Sequence, residues 1–303
     1  MLDLGIVIVN WNTRDYLSRC LESVFASEGR LAMRVVVVDN DSTDGSAEMV
    51  AACYPQVTLI RGHGNVGYPA GNNLGLRALG FAECGPAPNA PRYALLLNPD
   101  TELPPRALSN IISYLEAHPE IGVIGPKLVL LDGSLDLACR RSLPTPDVAL
   151  WRMIGLSKLL PRSRVFGRYN LTYLPEDEIA EVGSVVGACL MIRREAVEKV
   201  GLMDESFFMY GEDLDWCKRV AEAGWKVVYY PKVQVLHVKR AASRQSRRAA
   251  FEFVRAFLIF YNKHYRAATP WPVHLAILLG IAVRGGPRLW PEVFASPSAP
   301  QRG

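Results

Sequence analysis

The sequence has no CxxC pair, little net charge and no basic leader, and its apolar run near the end is too short to cross a bilayer. Six cysteines, Cys20, Cys53, Cys84, Cys139, Cys189 and Cys217, are scattered over 303 residues, most of them inside apolar stretches. Such thiols behave as small buried hydrophobes, so a reducing, cytoplasmic compartment is expected. A net charge of +4 is small for this length and gives no compositional argument for nucleic-acid binding. The run Val273–Val283 falls well short of the ~20 residues a membrane helix needs. The chain begins with Leu4–Val9, without a basic leader or cleavage site, and this segment is expected to be the first strand rather than a signal peptide. Half of the residues are hydrophobic, enough to bury a sizeable core in one large α/β domain or two smaller ones.

Short apolar, mostly β-branched runs at Gly5–Val9, Val35–Val38 and Val57–Ile60, and an apolar run at Ala94–Leu97, alternate with helical patterns at Tyr16–Phe25, Ala47–Ala52, Ala70–Leu79 and Leu108–Ala117. Strands that are apolar on both sides belong in a mostly parallel, Rossmann-like sheet covered by helices on both faces. Ligands of such sheets collect at the carboxyl ends of the strands. Between about Leu131 and Glu181 the periodicity weakens after an Asp132-Gly133 turn, as in a mobile loop over a site. Regular patterns return at Ala188–Ile192, Arg194–Val200, Glu212–Ala223, Lys226–Tyr230 and Val233–Leu236. The last sixty or so residues differ in kind. Lys239, Arg240, Arg244, Arg247 and Arg248 precede an aromatic helical stretch, Phe251–Tyr265, and then the apolar run beside Trp271, Arg284 and Arg288. This composition suits a helical extension lying on an anionic membrane leaflet, with packing on the domain as the alternative. The Ser/Pro tail after Ala295 reads as disordered. Residues 1–240 are therefore expected to form the catalytic unit and 241–303 the basic, aromatic extension.

The candidate chemistry lies just past the strands. Asp39 closes the second strand, where a carboxylate can accept the imino hydrogen of uracil or thymine; Ser42, Asp44 and Gly45 are ordinary turn and cap residues. Gly62-His-Gly-Asn-Val-Gly67 fits the dinucleotide GxGxxG pattern, but it lies outside the first βαβ unit and lacks the acidic residue that should close the next strand. A nicotinamide enzyme is set aside on that ground. Asn72 and Asn73, early in the following helix, are candidates for a phosphate or sugar hydroxyl. Leu95–Leu97 runs into Asn98, Asp100 and Glu102, with Pro99 directing Asp100 out of the sheet. One carboxylate there suits magnesium or manganese bound together with a diphosphate. Asp213 and Asp215 begin a helix on different faces and should have different jobs. Glu212, Asp215 and Trp216 are candidates for the acceptor side, and His237, at a strand end, is a candidate metal ligand.

Taken in order, Val9-Asn-Trp-Asn12, Val38–Gly45, Asn65–Asn73, Asn98-Pro-Asp100, Gly187–Ile192, Gly211-Glu-Asp213 and His237 resemble the family 2 nucleotide-sugar glycosyltransferases of GT-A fold. The likeness is in particular to bacterial members resembling rhamnosyltransferases, and it covers roughly residues 4 to 240. It implies that Asn10, Asp39, Asn72, Asn98 and Asp100 contact the nucleotide sugar. It also implies that Asp100 and His237 hold Mg2+ or Mn2+, and that Asp213 is the base of an inverting transfer. Asn98 stands where the first acid of a literal DxD would be. The implied donor is dTDP- or UDP-linked, with L-rhamnose the favoured sugar and UDP-hexose or UDP-N-acetylhexosamine the alternative. The acceptor is expected to be a glycan or, if the basic, apolar extension touches the inner face of the plasma membrane, a polyprenyl-diphosphate-linked sugar presented there, as in cell-envelope polysaccharide synthesis. A non-catalytic glycan- or membrane-binding module is the rival reading; it would have no use for this ordered set of acids.

Overall fold

The computed structural model describes residues 2–239 and 247–295; Arg240, Arg244 and the tail after Ala295 lie outside the described residues. The first half is an alternating series: β1 (Leu4–Asn10), α1 (Arg14–Phe25), β2 (Met33–Asp39), α2 (Ser46–Cys53), β3 (Thr58–Ile60), α3 (Tyr68–Ala78) and β4 (Tyr93–Leu97). Every residue of β1 and β4 is buried, as expected of strands without polar alternation. A two-residue strand β5 (Thr101–Glu102), α4 (Ala107–Ala117) and β6 (Ile121–Val129) follow.

The weakly periodic stretch contains two short helices, α5 (Pro146–Met153) and α6 (Leu156–Leu159), before the two-residue β7 (Ala180–Glu181). Then come β8 (Cys189–Arg193), α7 (Arg194–Val200), α8 (Glu212–Glu222) and β9 (Lys226–His237). The two runs expected around Lys226 and Val233 form this one strand, with a register shift against β6 between Pro126 and Lys127. The extension is α9 (Arg247–His264), α10 (Trp271–Gly285) and α11 (Trp290–Phe294).

Among the described residues, nine strands make one sheet in the order β3-β2-β1-β4-β8-β6-β9-β5, with β7 paired to β9. β1 pairs in parallel with β2 and β4, and β6 with β9, while β8 runs antiparallel between β4 and β6. The pairing of β5 with β9 sets Thr101 opposite His237, and the Val238 amide donates to the Asp100 carbonyl at 2.9 Å. Residues from distant strands are thereby joined at one sheet edge.

The extension packs on the domain through α9. Ala256 and Phe260 meet Phe207 and Leu214 on one side; Leu258 and Tyr261 meet Leu278, Ile281, Leu289 and Val293 on the other. Helix α10 keeps an outward stripe of Trp271, Leu275, Leu279 and Val283 at four-residue spacing, exposed by 72%, 40%, 51% and 83%. Among the described residues, no helix is long and apolar enough to cross a membrane.

Candidate active site

The parallel strands deliver their last residues to a common end. β1 ends in Asn10 and β2 in Asp39, which are paired in register. The Asn10 amide donates to Asp39 Oδ1 at 3.2 Å and to Ser42 Oγ at 3.1 Å, and the Ser42 amide caps Asp39 Oδ2 at 3.0 Å. Thr13 Oγ1 donates to Asn10 Oδ1 at 2.6 Å, which fixes the amide's orientation. Both residues are buried, so the Asp39 carboxylate is held in place before any ligand arrives.

Past β4, Asn98 and Asp100 reach the edge where β5 meets β9. Asp100 Oδ1 stands 3.5 Å from His237 Nε2, a close charge rather than a short hydrogen bond. On the far side of the ring, His237 Nδ1 is 2.9 Å from Asp136 Oδ2, and Asp136 Oδ1 accepts from Lys239 and from the Ala138 amide. Burial works against the Asp136 carboxylate, but the hydrogen bonds from His237 and Lys239 outweigh it and hold its pKa well below the usual range. Sequence reading passed over Asp136. Its signal is a charged residue just beyond the Asp132-Gly133 turn, where the chain re-enters the core.

Asp213 lies in the first turn of α8 behind Gly211, whose φ of +81° belongs to the left-handed region that glycine tolerates. Its Oδ2 accepts from Arg141 Nη2 at 2.8 Å and from the Gly187 amide at 3.1 Å; Oδ1 accepts from the Leu214 amide at 2.7 Å. Arg141 also donates to the Val185 carbonyl at 2.9 Å and to Ser184 Oγ at 3.1 Å, so the guanidinium is a fixed brace. Arg141 is the second residue missed from sequence, hidden in the Arg-rich, weakly periodic stretch. Glu212 is buried beside Asp213 with Oε2 unpartnered among the described residues. Burial first, and the Asp213 charge second, push its carboxyl up to about 8.

The Glycosyltransferase like family 2 pattern matches residues 3–254. The chain belongs to this family. A similar curated protein is the N-acetylglucosaminyl-diphospho-decaprenol L-rhamnosyltransferase of Mycobacterium tuberculosis, 29% identical over 282 residues that cover 91% of each chain. The rhamnosyltransferase WbbL of Escherichia coli is 24% identical over 82% of this chain and 88% of its own length. Among solved structures, GalNAc-T7 with UDP, GalNAc and Mn2+ superposes with a TM-score of 0.59 at 18% identity, over 89% of this chain and 52% of the longer one. The fold is accordingly of GT-A type, and the protein is a glycosyltransferase.

Several expected site residues of this transferase prove to be structural. Asp215 is fully buried: Oδ1 lies 2.8 Å from both Lys263 Nζ and His264 Nε2, and Arg219 Nε donates to Oδ2 at 2.8 Å. It ties α8 to α9 and offers an acceptor nothing. Trp216 is also fully buried, its indole N–H bonded to the Gly201 carbonyl at 2.9 Å, and is core rather than acceptor side. Asn73 spends its amide on the Met203 backbone and Glu205. Asn72 keeps a buried Oδ1, unpartnered among the described residues, while its Nδ2 donates to the Tyr68 carbonyl, so its open atom is an acceptor suited to a sugar hydroxyl, not to a phosphate.

The metal implied by the family can be tested against these side chains. Among the described residues no group of three or more His, Cys, Asp or Glu is poised around one point. The pair Asp100 and His237 nevertheless fits an ion completed by diphosphate oxygens, which typically takes only one or two protein ligands. Asp136 holding Nδ1 leaves Nε2 facing Asp100, the usual outer-shell support for a metal-binding imidazole. The Asn98 Oδ1, buried and unpartnered among the described residues, adds a neutral oxygen nearby in sequence.

In the metal-free protein this pair has a pH signature. Burial disfavours the charged imidazole, but Asp100 and Asp136 outweigh it and raise His237 to about 9 from 6.5. The folded value is the higher one, so the stabilisation is complete below about 6.5 and is lost as pH rises through about 9. Thermal melts in chelator should fall more steeply over that window for the wild type than for His237→Gln. Parallel curves would remove the assignment.

Proposed function

We propose that the protein is an inverting, metal-dependent transferase that moves a sugar, L-rhamnose in the favoured case, from dTDP or UDP to a polyprenyl-diphosphate-linked or glycan acceptor in cell-envelope synthesis. The observation that carries this reading is the division of labour among its acids: Asp39 ends β2, Asp100 follows β4 beside His237, and Asp213, braced by Arg141, binds the amide of Gly187, whose neighbour Ala188 accepts from the Asn98 amide. The named activities of the mycobacterial and E. coli relatives support the sugar, and the first of those names supports a lipid-linked acceptor.

Asp39, oriented by Asn10, accepts the imino hydrogen of the base. Asp100 and His237 would hold Mg2+ or Mn2+, which when bound offsets the charge growing on the departing diphosphate. Asp213 has both acceptor directions of Oδ2 taken by Arg141 and Gly187, whereas among the described residues Oδ1 has one bond, from the Leu214 amide, and one open direction. Oδ1 is therefore the atom that receives the proton of the attacking hydroxyl, on the face opposite the diphosphate, and one displacement inverts the anomeric centre. Residues 1–240 perform the transfer; 241–303 form an extension whose α10 stripe rests on the cytoplasmic membrane face.

Calorimetry with UDP and dTDP, each with and without Mn2+, tests the core of this assignment. Metal-dependent binding of at least one nucleotide is expected, weakened by Asp39→Ala with or without metal and losing its metal dependence in Asp100→Ala. Binding of neither nucleotide would refute the transferase reading. The preferred nucleotide separates the dTDP-rhamnose donor from a UDP-hexose or UDP-N-acetylhexosamine donor.

A further inference from the structure

Residues 143–168 pack Leu143 and Val148 inward and Arg152 over Phe253 of α9, and the excursion closes at one point, where the Ser142 amide donates to the Tyr169 carbonyl at 2.8 Å. That point adjoins Arg141, the brace of Asp213, so the excursion stands beside the base. Its surface is unusual. Ile154, Leu159, Leu160 and Val165 are exposed by 55%, 73%, 44% and 54%. Its aromatic rings are not on offer in the same way: Trp151 and Phe166 pack edge to face on one another at 5.1 Å.

Charge is equally one-sided. Residues 143–168 contain five cations, Arg152, Lys158, Arg162, Arg164 and Arg168, against one acid, Asp147, a net of +4 that matches the net charge of the whole chain. Asp147 is itself paired with Arg168 at 3.3 Å. Among the described residues, Lys158, Arg162 and Arg164 pair with no carboxylate.

We propose that this excursion is a lipid-contacting element that docks the Asp213 side of the protein on an anionic bilayer. Exposed aliphatic side chains interleaved with unpaired cations fit the boundary between headgroups and acyl chains, where the former lose water and the latter meet phosphate. A second copy of the chain is a poorer occupant, because a two-fold contact would bring two +4 surfaces together. Nucleic acid would use the charge but leave the aliphatic residues in water, and Trp151 and Phe166 of this excursion are packed edge to face on one another rather than open for stacking. The inference rests on the lipid-linked acceptor of the proposed function and adds a contact separate from the α10 stripe. It sets the base beside the surface from which a membrane-held hydroxyl would arrive.

The test is flotation of the full chain with vesicles of phosphatidylglycerol and phosphatidylethanolamine, against phosphatidylcholine alone, with nucleotide calorimetry run on the same samples. The wild type should float with the anionic vesicles and be released by salt. The double variant Ile154→Asp and Leu159→Asp should bind them at least ~10-fold more weakly, with nucleotide affinity unchanged. Both positions are exposed and clear of the nucleotide residues, so intact nucleotide binding certifies the fold. Wild-type flotation by this variant overturns the proposal, as does its loss only in Leu279→Asp of α10, flotation indifferent to lipid charge, or retention of an RNA oligonucleotide in place of vesicles. Loss of nucleotide binding by the wild type would instead strike at the transferase reading.

Discussion

Asp213→Asn is expected to lower transfer by ~10²–10⁴-fold, the usual worth of a positioned general base, while nucleotide binding persists. The substitution keeps the shape of the side chain and can keep an oxygen toward the Gly187 amide. It removes the charge that answers Arg141 and the site that receives the proton. Asp39, at the end of β2, and Asp100, between β4 and β5, are untouched. Glu212 is a buried neighbouring carboxyl with an unpartnered oxygen among the described residues, yet its pKa of about 8 leaves it largely protonated at neutral pH. It is no substitute base there. Steady-state transfer assays beside calorimetry decide the matter: turnover within tenfold of the wild type in Asp213→Asn would move the base elsewhere. Arg141→Met serves as a second probe, since it should reduce transfer through loss of carboxylate orientation while leaving nucleotide affinity intact.

Much of this arrangement is legible in the sequence because it depends on local pattern. The first four strands are apolar runs, β-branched in β1 and β2 and leucine-rich in β4, and a polar residue ending such a run must emerge at the carboxyl edge of the sheet; Asn10, Asp39 and Asn98 are found that way. β6 escapes the same reading because Gly122, Gly125 and Pro126 interrupt its β-branched character. Both glycines are demanded by packing: a Cβ would lie 2.7 Å from Trp225 Cβ at Gly122, and 2.7 Å from Val185 Cβ at Gly125. These close approaches join segments far apart in sequence, and no local pattern announces them. Asp136 and Arg141 are obscure for a related reason. Their roles come from partners 101 and 72 residues away, His237 and Asp213. The acid-rich start of α8 misleads in another way. Consecutive acids look like one cluster in sequence, but two residues on a helix turn the side chain through ~200°, so Asp213 and Asp215 serve opposite surroundings.

Those surroundings give Asp215 the second large effect: Asp215→Ala should lower the free energy of unfolding by ~3–5 kcal/mol, as expected when one partner of a buried ion pair is removed. The carboxylate is fully buried and answers three bases at once, Arg219 on its own helix and Lys263 and His264 on α9. Burial alone would oppose ionisation, but the hydrogen bond from His264 and the charges of Arg219 and Lys263 outweigh it and hold the pKa far below the usual carboxylate range. A depressed folded value means that the stabilisation is complete above the ordinary carboxylate range and is lost as pH falls through the folded pKa. Arg219 would retain its bonds to the Val200 and Leu202 carbonyls, and Lys263 its pair with Asp204, so the damage should centre on the seam between α8 and α9. The same seam buries Phe207 and Leu214 under Ala256 and Phe260. Truncation of the extension would therefore expose core, and point substitutions on its outer face are the sounder probes of membrane contact. Denaturant titration distinguishes the two roles offered for Asp215. A structural tie lowers the unfolding midpoint and reduces transfer only in step with the folded fraction; a raised acceptor KM at unchanged stability would restore it to the acceptor side.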